Sequence, residues 1–374
     1  MTAAPVRADL PAATLTEHTT GQLRRLAALA GLSEADTATY ADVLTEALGP
    51  VGARSLDLPP PDRTFLSDDH TPVEFSLSLQ PGTAPSLRVL LEPGCGADGL
   101  DRNGRIGLAA IRAMARRWNF STGPLDAVRD LFLPPSPQGP LALWCALELR
   151  PGGVPRVKVY LNPAALRVKR SFWTVREAME RLGHGRAFAS LARADGYPFV
   201  ALDLGDWEEP RLKVYARHDD LTAGRAGRLS RMDPGPDAAA VEDFFLTAAG
   251  GGREVTRLSR RPGLTCHAFT ETGAARPSGF TLHIPVRDYA RHDGEVLERA
   301  GRVLARYGMD TAVLPRALSA VTGRRPEDGV GLIAYLALAH QHGRAPRVTA
   351  YLSSEAYAVR PPALARPRHV NAVR

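Results

Sequence analysis

Short segments in which apolar and polar residues alternate recur along the chain, and most of them come in pairs. Glycine and proline residues, such as Pro81 and Gly82, separate the partners of several pairs and indicate tight hairpins. The second members of successive pairs recur about every 55 to 70 residues, which is typical of a repeated supersecondary unit. The predicted pairs are residues 72–79 with 86–92, 141–150 with 156–162, 198–204 with 211–217, 264–270 with 280–285, and 330–340 with 347–352.

Stretches with helical spacing of apolar residues separate these strand pairs. In one of them Val296, Ala300 and Val303 fall on a single helical face. The helices are predicted over residues 35–48, 105–118, 124–131, 174–181, 186–194, 221–231, 236–248, 294–307 and 314–321. The repeated unit is therefore helix–helix–strand–strand, in five copies. Because ten antiparallel strands in an open sheet would leave exposed edges, we expect the sheet to close into a barrel.

One face of each predicted strand is apolar and the other is polar. In the strand over residues 156–162, for example, Val157 and Val159 alternate with Lys158 and Tyr160. Taken alone, a single strand of this kind favours the wet side of an open antiparallel sheet. The predicted helices, however, must bury their own apolar faces, and the apolar strand faces are the surface available to them. Helices around the outside would leave a cationic, tyrosine-rich lumen, whose charge is unfavourable unless an anion fills it.

The net charge supports an anionic partner. The 374 residues include 47 Lys and Arg against 40 Asp and Glu, which gives a formal charge of +7. Nucleic acid, a membrane surface and a phosphorylated small molecule all fit this charge. A nucleic-acid-binding protein would display its cations and aromatic rings on an accessible groove, whereas here they share the inward strand face. A noncatalytic barrel that binds an anionic small ligand remains an alternative.

Cysteine usage and the two ends of the chain add little to this picture. Cys95, Cys145 and Cys266 are widely spaced and have no metal-ligand pattern, which favours a reduced, cytoplasmic protein. The first residues lack the basic and apolar regions of a signal peptide, and the chain has no continuous apolar stretch of membrane-spanning length. We predict one domain over residues 21–358, a flexible segment over 1–20 and a loose tail over 359–374.

Five short motifs, in this order and spacing, resemble the dimethylallyltryptophan synthase family of aromatic prenyltransferases, and the similarity extends from about residue 20 to residue 358. They are Thr-Pro-Val-Glu-Phe-Ser at 71–76, Leu-Arg-Val-Leu-Leu-Glu-Pro at 87–93, Lys-Val-Tyr-Leu-Asn-Pro at 158–163, Arg-Leu-Lys-Val-Tyr at 211–215 and Arg-Val-Thr-Ala-Tyr-Leu at 347–352. The resemblance implies an α+β fold, the ABBA barrel, with ten antiparallel strands inside a ring of helices. The chain looks like a bacterial member of the family.

The resemblance also implies a reaction, in which a dimethylallyl group moves from dimethylallyl diphosphate to an aromatic ring without a cofactor. Arginine and lysine side chains stabilise the negative charge that develops on the diphosphate as it leaves. Aromatic faces stabilise the allylic cation without attacking it. The implied diphosphate-binding residues are Arg88, Lys158, Arg211 and Lys213, with Arg347 and His283 as further candidates. The implied shield around the carbocation is Tyr160, Tyr215 and Tyr351.

Glu74 matches the acidic residue of the family that accepts the indole N–H, which makes it the implied catalytic residue. L-Tryptophan is therefore the expected acceptor, and other indoles, tryptophan-containing cyclic dipeptides and tyrosine are alternatives. The position of attack is open, with C6 expected by resemblance and N1 as its rival. Family members often carry a lysine base on the strand at 141–150, where this chain has Glu148 and Arg150, so Glu74 or released diphosphate is left to take the final proton.

No metal is expected in this reaction. Asp68 and Asp69 form the only aspartate pair near a site motif, and they lack the further carboxylates of a magnesium–diphosphate motif. Side-chain cations would take the place of the metal, so we expect turnover in EDTA. The expected partners are thus dimethylallyl diphosphate and L-tryptophan, with neither nucleic acid nor a membrane.

Overall fold

The computed structural model describes residues 13–205, 207, 211–251 and 255–363. Residues 1–12 of the predicted N-terminal segment and residues 364–374 of the predicted tail lie outside the described residues. A helix begins at Leu15, so the folded part of the chain starts before the predicted boundary at residue 21. Among the described helices, none has both the length and the apolar composition needed to cross a bilayer.

Ten strands of the described chain form a closed antiparallel barrel, as the alternating pattern predicted. The strands in chain order are β1 (Val73–Leu79), β2 (Ser86–Leu91), β3 (Leu143–Glu148), β4 (Arg156–Leu161), β5 (Gly196–Leu204), β6 (Leu212–His218), β7 (Leu221–Thr222), β8 (Arg257–Leu258), β9 (Gly263–Phe269), β10 (Gly279–Ile284), β11 (Ile333–Gln341) and β12 (Arg344–Ser353). β7 and β8 pair only with each other, and the other ten follow one another around the barrel in chain order. β12 pairs with β1 and leaves no open edge.

Helices precede each pair of barrel strands, which confirms the helix–helix–strand–strand unit. They are α1 (Leu15–Leu29), α2 (Glu34–Leu48), α3 (Leu100–Trp118), α4 (Gly123–Asp126), α5 (Arg129–Phe132), α6 (Ser171–Arg181), α7 (Gly185–Phe188), α8 (Ala223–Ala226), α9 (Ala238–Ala249), α10 (Asp293–Arg306) and α11 (Val313–Val321). Short 3₁₀ helices lie at Gly49–Ala53, Val168–Arg170, Val286–Asp288 and Pro326–Asp328. Helices α3, α6, α9 and α10 contact β3, β5, β10 and β11, so they cover the outside of the barrel.

The structure differs from the predicted helices in four places. One is the stretch predicted over 124–131, where two short helices, α4 and α5, lie. Helix α1 was not predicted, although Thr14 and Glu17 form a capping box at its start. The stretch predicted as a helix over 221–231 contains β7 and only the four-residue α8, because two glycines there disfavour a longer helix. The stretch predicted over 186–194 is helical only in α7.

The apolar strand faces point outward and form the core with the helices. Leu77, Val159, Val214 and Leu282, for example, are fully buried in the main hydrophobic cluster together with apolar residues of the helices. Because side chains alternate along a strand, the polar residues between them face the lumen. The lumen has two different ends. At the turn end the strands are joined by hairpins, and at the helix end they connect to the helices.

Candidate active site

A group of positively charged side chains lies at the turn end of the lumen, and we call it the cationic cluster. Its members come from β2, from β4, from the start of β6 and from β12, where alternation turns every second side chain inward. Two carboxylates, Glu148 on β3 and Asp203 on β5, lie among these cations. The described members of the cluster are Arg88, Arg156, Lys158, Arg211, Lys213 and Arg347.

The two carboxylates hold four of the six cations in place. Arg88 donates from Nε to Glu148 Oε2 at 2.8 Å, and Arg156 Nη1 lies 3.3 Å from Oε1 of the same carboxylate. Lys158 Nζ lies 2.8 Å from Asp203 Oδ1, and Arg211 Nε lies 2.7 Å from Oδ2. Burial alone would raise the pKa of Glu148, but the charges of Arg88 and its neighbours outweigh burial and lower it. Glu148 is therefore ionised and bound in ion pairs, which makes it unsuitable as the final base.

Lys213 and Arg347 have no carboxylate within ion-pair distance among the described residues. Burial, together with Lys158 and Arg211 nearby, lowers the pKa of Lys213 well below its ordinary value. Burial and the charges of Arg88 and Arg211 also lower the pKa of Arg347, to about 10. A buried cation without a counter-charge is unfavourable. The cluster is therefore arranged to receive an anion that carries several charges.

Trp207 packs against three cations of this cluster. Its ring centroid lies 4.7 Å from Lys158 Nζ, 4.8 Å from Arg211 Cζ and 5.3 Å from Arg156 Cζ. The indole Nε1 donates to the carbonyl oxygens of Val157 at 2.8 Å and Leu204 at 2.9 Å, which fixes the ring. Sequence reasoning missed this residue because it lies between β5 and β6, where no periodic pattern marks it.

A belt of aromatic rings lines the lumen beyond the cationic cluster. Tyr160 and Tyr215 have ring centroids 5.8 Å apart, and Phe199 lies 6.2 and 5.8 Å from them. Trp144 extends the belt on one side, 5.2 Å from Phe199, and Tyr335 extends it on the other, 6.3 Å from Tyr351. Burial raises the pKa of Tyr160 to about 12, so this phenol stays neutral. The predicted tyrosines thus share one belt with three rings that the sequence analysis had not singled out.

His283 joins the two halves of this belt. Its ring centroid lies 5.8 Å from those of Tyr215 and Tyr351, and its Nε2 lies 3.3 Å from the Tyr351 hydroxyl. Burial and the charges of Lys213 and Arg347 lower the pKa of His283 to about 3, so the imidazole is neutral. The structure therefore places His283 among the aromatic rings, next to the cationic cluster with which it was grouped from sequence.

Glu74 lies on β1, on the helix-end side of the aromatic belt. Its side chain is buried, and no described residue forms a hydrogen bond with its carboxyl group. Burial raises the pKa of Glu74 to about 8, with the Arg287 charge opposing the rise and Asp68 adding to it. The carboxyl is therefore available to a donor from a ligand, at the opposite side of the belt from the cations.

All the site residues predicted from sequence line the same lumen, in three zones. Asp203, which sequence reasoning also missed, lies on the lumen face of a correctly predicted strand, so alternation alone could have found it. No cluster of three or more His, Cys, Asp or Glu side chains suited to a metal ion occurs in the part of the chain that the structure describes. Anion-binding groups, a shield for a cation and a buried hydrogen-bond acceptor thus follow one another along the axis.

The chain is similar to a known protein family and to several solved structures. The family model described as tryptophan dimethylallyltransferase matches residues 16–314. The chain is 68% identical to 5-dimethylallyl tryptophan synthase from Streptomyces coelicolor, solved in complex with DMASPP and Trp, with a TM-score of 0.90 over 96% of this chain and 99% of that one. It is 62% identical to prenyltransferase PriB in a ternary complex with L-tryptophan and dimethylallyl thiolodiphosphate, with a TM-score of 0.93 over 95% and 100%. It is 41% identical to 6-dimethylallyltryptophan synthase from Micromonospora olivasterospora, also with DMASPP and Trp, with a TM-score of 0.86 over 93% and 99%.

Proposed function

The chain belongs to the tryptophan dimethylallyltransferase family, and we propose that it transfers a dimethylallyl group from dimethylallyl diphosphate to the indole ring of L-tryptophan. The observation that carries this proposal is the order of the three zones along the lumen. The cationic cluster, the aromatic belt and the buried carboxyl of Glu74 correspond to the leaving group, the carbocation and the acceptor ring.

The cationic cluster binds the diphosphate and promotes its departure. Lys213 and Arg347, which have no carboxylate partner among the described residues, gain a counter-charge when the anion enters. Arg88, Lys158 and Arg211 are already positioned by Glu148 and Asp203, so little reorganisation opposes binding. As the bond between C1 of the prenyl group and the diphosphate oxygen breaks, these donors stabilise the charge that develops on that oxygen.

The aromatic belt stabilises the allylic cation and keeps water away from it. Tyr160, Tyr215 and Tyr351 present ring faces whose quadrupole attracts a cation, and their neutral phenols are poor nucleophiles. We also assign neutral His283 to this shield because it lies between two of these rings.

Glu74 orients the acceptor by accepting the indole N–H. This donor favours the ionised carboxylate against the burial that raises its pKa, and the negative charge then raises the electron density of the ring. A ring carbon then forms a bond to C1 of the prenyl cation, and the same carbon loses its proton to restore aromaticity. Glu148 is held in ion pairs with Arg88 and Arg156, which leaves it unsuited to take this proton. The ionised carboxylate of Glu74 and the released diphosphate are the bases that the site offers.

We propose C5 of the indole as the carbon attacked. The chain is 68% identical to the 5-dimethylallyl tryptophan synthase and 41% identical to the 6-dimethylallyltryptophan synthase, which favours C5 over the C6 expected from the resemblance alone.

The test is to incubate the purified protein with dimethylallyl diphosphate and L-tryptophan and to look for tryptophan plus one C5H8 unit by mass spectrometry. NMR of the product then locates the prenyl group. A prenylated tryptophan carrying the group at C5 would support both parts of the proposal, and a group at C6 or N1 would overturn only the position. If tight diphosphate binding gave no product with tryptophan or other indoles, the noncatalytic alternative would replace the enzyme.

A further inference from the structure

Glu92 is a buried carboxylate that the proposed reaction does not use. It follows β2 directly, and its N–H donates to the carbonyl oxygen of Pro72 at 3.1 Å, so the pairing with the neighbouring chain continues past the end of the strand. Alternation therefore turns its side chain towards the lumen, as it does for Arg88 and Leu90. Only 4% of the residue is exposed, and no cation among the described residues forms an ion pair with it.

Three donors from different parts of the fold meet on this carboxylate. Asn103 on α3 donates from Nδ2 to Oε1 at 2.7 Å, and the hydroxyl of Thr64 donates to Oε2. The indole Nε1 of Trp144 on β3 also donates to Oε2, at 3.2 Å. Burial raises the pKa of Glu92, and these three hydrogen bonds oppose the rise. Both oxygens are thus occupied by the protein, which suits this carboxyl group to holding side chains rather than to binding a substrate.

The Trp144 ring forms part of the wall beside the acceptor zone. It belongs with Leu66 to a small apolar cluster that is separate from the main core, and Leu90 packs against this cluster. Leu90 is the register partner of Glu74 on β1, so the cluster lies next to the carboxyl that we propose accepts the indole N–H. On its other side the Trp144 ring reaches the aromatic belt, with its centroid 5.2 Å from that of Phe199.

The hydrogen bond to Glu92 selects one orientation of the Trp144 ring. The torsion that turns an indole about its bond to Cβ is roughly two-fold, and a half turn exchanges the five-membered and six-membered sides of the ring. The observed orientation brings Nε1 to the carboxylate, and the half turn would carry this N–H away from it. A hydrogen bond to an ionised acceptor is stronger than one between neutral groups, so it favours the observed orientation.

We propose that Glu92 is a positioning residue, which fixes the Trp144 ring and thereby restricts prenylation to one position of the acceptor's indole. Asn103 and Thr64 hold the carboxylate, and the carboxylate holds Trp144. This inference rests on the proposed function, because it assumes that the acceptor ring lies beside Glu74. Glu92 acts through Trp144 and contacts neither substrate.

The first test compares the products that wild type, Glu92→Gln, Trp144→Phe and the double variant form from dimethylallyl diphosphate and L-tryptophan. Glutamine keeps the size of the side chain but replaces one acceptor oxygen with an NH2 donor, and phenylalanine keeps an aromatic ring without an N–H. We expect each single variant to lower the ratio of the main ring position to the others about tenfold. This factor corresponds to about 1.4 kcal/mol, comparable to one lost hydrogen bond to a charged group. The double variant should match Trp144→Phe, because both changes break the same link.

Tyr40→Phe is the matched control. Tyr40 lies on α2 outside the barrel, and its hydroxyl donates at 2.6 Å to the carbonyl oxygen of Arg150, just beyond β3. The variant loses a hydrogen bond to the same part of the barrel but leaves the lumen unchanged. Its product ratio should therefore equal that of the wild type.

The indole N–H signals in NMR spectra test the hydrogen bond itself, without a reaction. In protein labelled with ¹⁵N-tryptophan, the Trp144 signal is identified by its absence from Trp144→Phe. In Glu92→Gln this signal should shift and its proton should exchange faster with water, because the acceptor is lost. The signal of Trp207, whose Nε1 donates to two carbonyl oxygens, should not change.

Two results would overturn the assignment. One is an unchanged Trp144 signal in Glu92→Gln, which would mean that the carboxylate does not hold the ring. The other is an unchanged product ratio in Trp144→Phe, a variant that keeps the carboxylate and its other two donors. A wild-type protein that gives no prenylated tryptophan would refute the proposed function and the effect on ring position with it. The indole signals would then still decide whether Glu92 fixes Trp144.

Discussion

Replacing Glu74 with glutamine should make the ligand-free protein more stable than the wild type, and increasingly so as the pH rises. Burial raises the pKa of this carboxyl from an ordinary 4.5 to about 8. The folded state disfavours the ionised form of such a carboxyl, so the protein becomes less stable as the carboxyl ionises. Its contribution is fully present below pH 4.5, declines as pH rises, and levels off above about 8, where both states are ionised. Glutamine has no such dependence.

The size of the effect follows from these two values. Between pH 6 and pH 9, linkage predicts that the wild-type protein loses about 3 kcal/mol of stability relative to E74Q. With the average unfolding entropy per residue and a chain of 374 residues, this difference corresponds to about 4 °C in melting temperature. The direction of this change in stability follows directly from the burial of Glu74, which raises the pKa of its carboxyl.

The assay is thermal unfolding of wild type and E74Q without substrates at pH 6, 7, 8 and 9. The quantity of interest is the difference in melting temperature between the two proteins at each pH. E298Q, which changes an exposed glutamate on α10, is the control and should follow the wild type throughout. A difference between E74Q and wild type that stays constant from pH 6 to pH 9 would refute the reasoning, since Glu74 would then titrate alike in both states.

Three further predictions concern turnover. Lys213→Met should lower kcat/KM for dimethylallyl diphosphate about 100-fold, because the anion loses a buried donor that has no carboxylate partner among the described residues. Initial rates at varied concentrations of dimethylallyl diphosphate measure this loss. Trp207→Phe removes the Nε1 bonds that fix the ring against three cations, so KM for the same substrate should rise about tenfold. Trp173→Phe, which changes an exposed ring stacked on one arginine, should leave that KM unchanged. Rates with and without EDTA should be equal, because we propose that the cationic cluster supplies the charge a metal would otherwise supply, and complete loss in EDTA would contradict this role.

The sequence was sufficient to predict the barrel and most of its lumen. The observed strand β4, Arg156–Leu161, agrees with the predicted stretch over 156–162 to within one residue. Its register is well specified, because a shift of one residue would move its apolar side chains from the core to the lumen. The same alternation correctly predicts that Lys158 and Tyr160 face the lumen. Strand residues are predictable in this way because the face of a side chain depends only on its parity along the strand.

Residues outside the strands could not be predicted by that rule. Trp207 lies between β5 and β6, and Arg287 lies in a 3₁₀ helix after β10. Both reach the lumen through tertiary contacts that no local period encodes, with Lys158 in one case and Tyr335 in the other. The ion pairs of Asp203 were also out of reach, since they depend on which strands become neighbours when the barrel closes.

The electrostatics of the lumen indicate why its charged residues are placed as they are. Burial pushes Lys213 and Glu74 towards their neutral forms, although one is a base and the other an acid. In neither case do the neighbouring side chains of the described residues offset the effect of burial on the pKa. Diphosphate is the partner that restores the charge of Lys213, and an indole N–H is a donor that favours the ionised form of Glu74. Burial of these two groups costs stability in the ligand-free protein, and the two substrates offset that cost. Substrate binding should therefore be coupled to the protonation of Lys213 and Glu74.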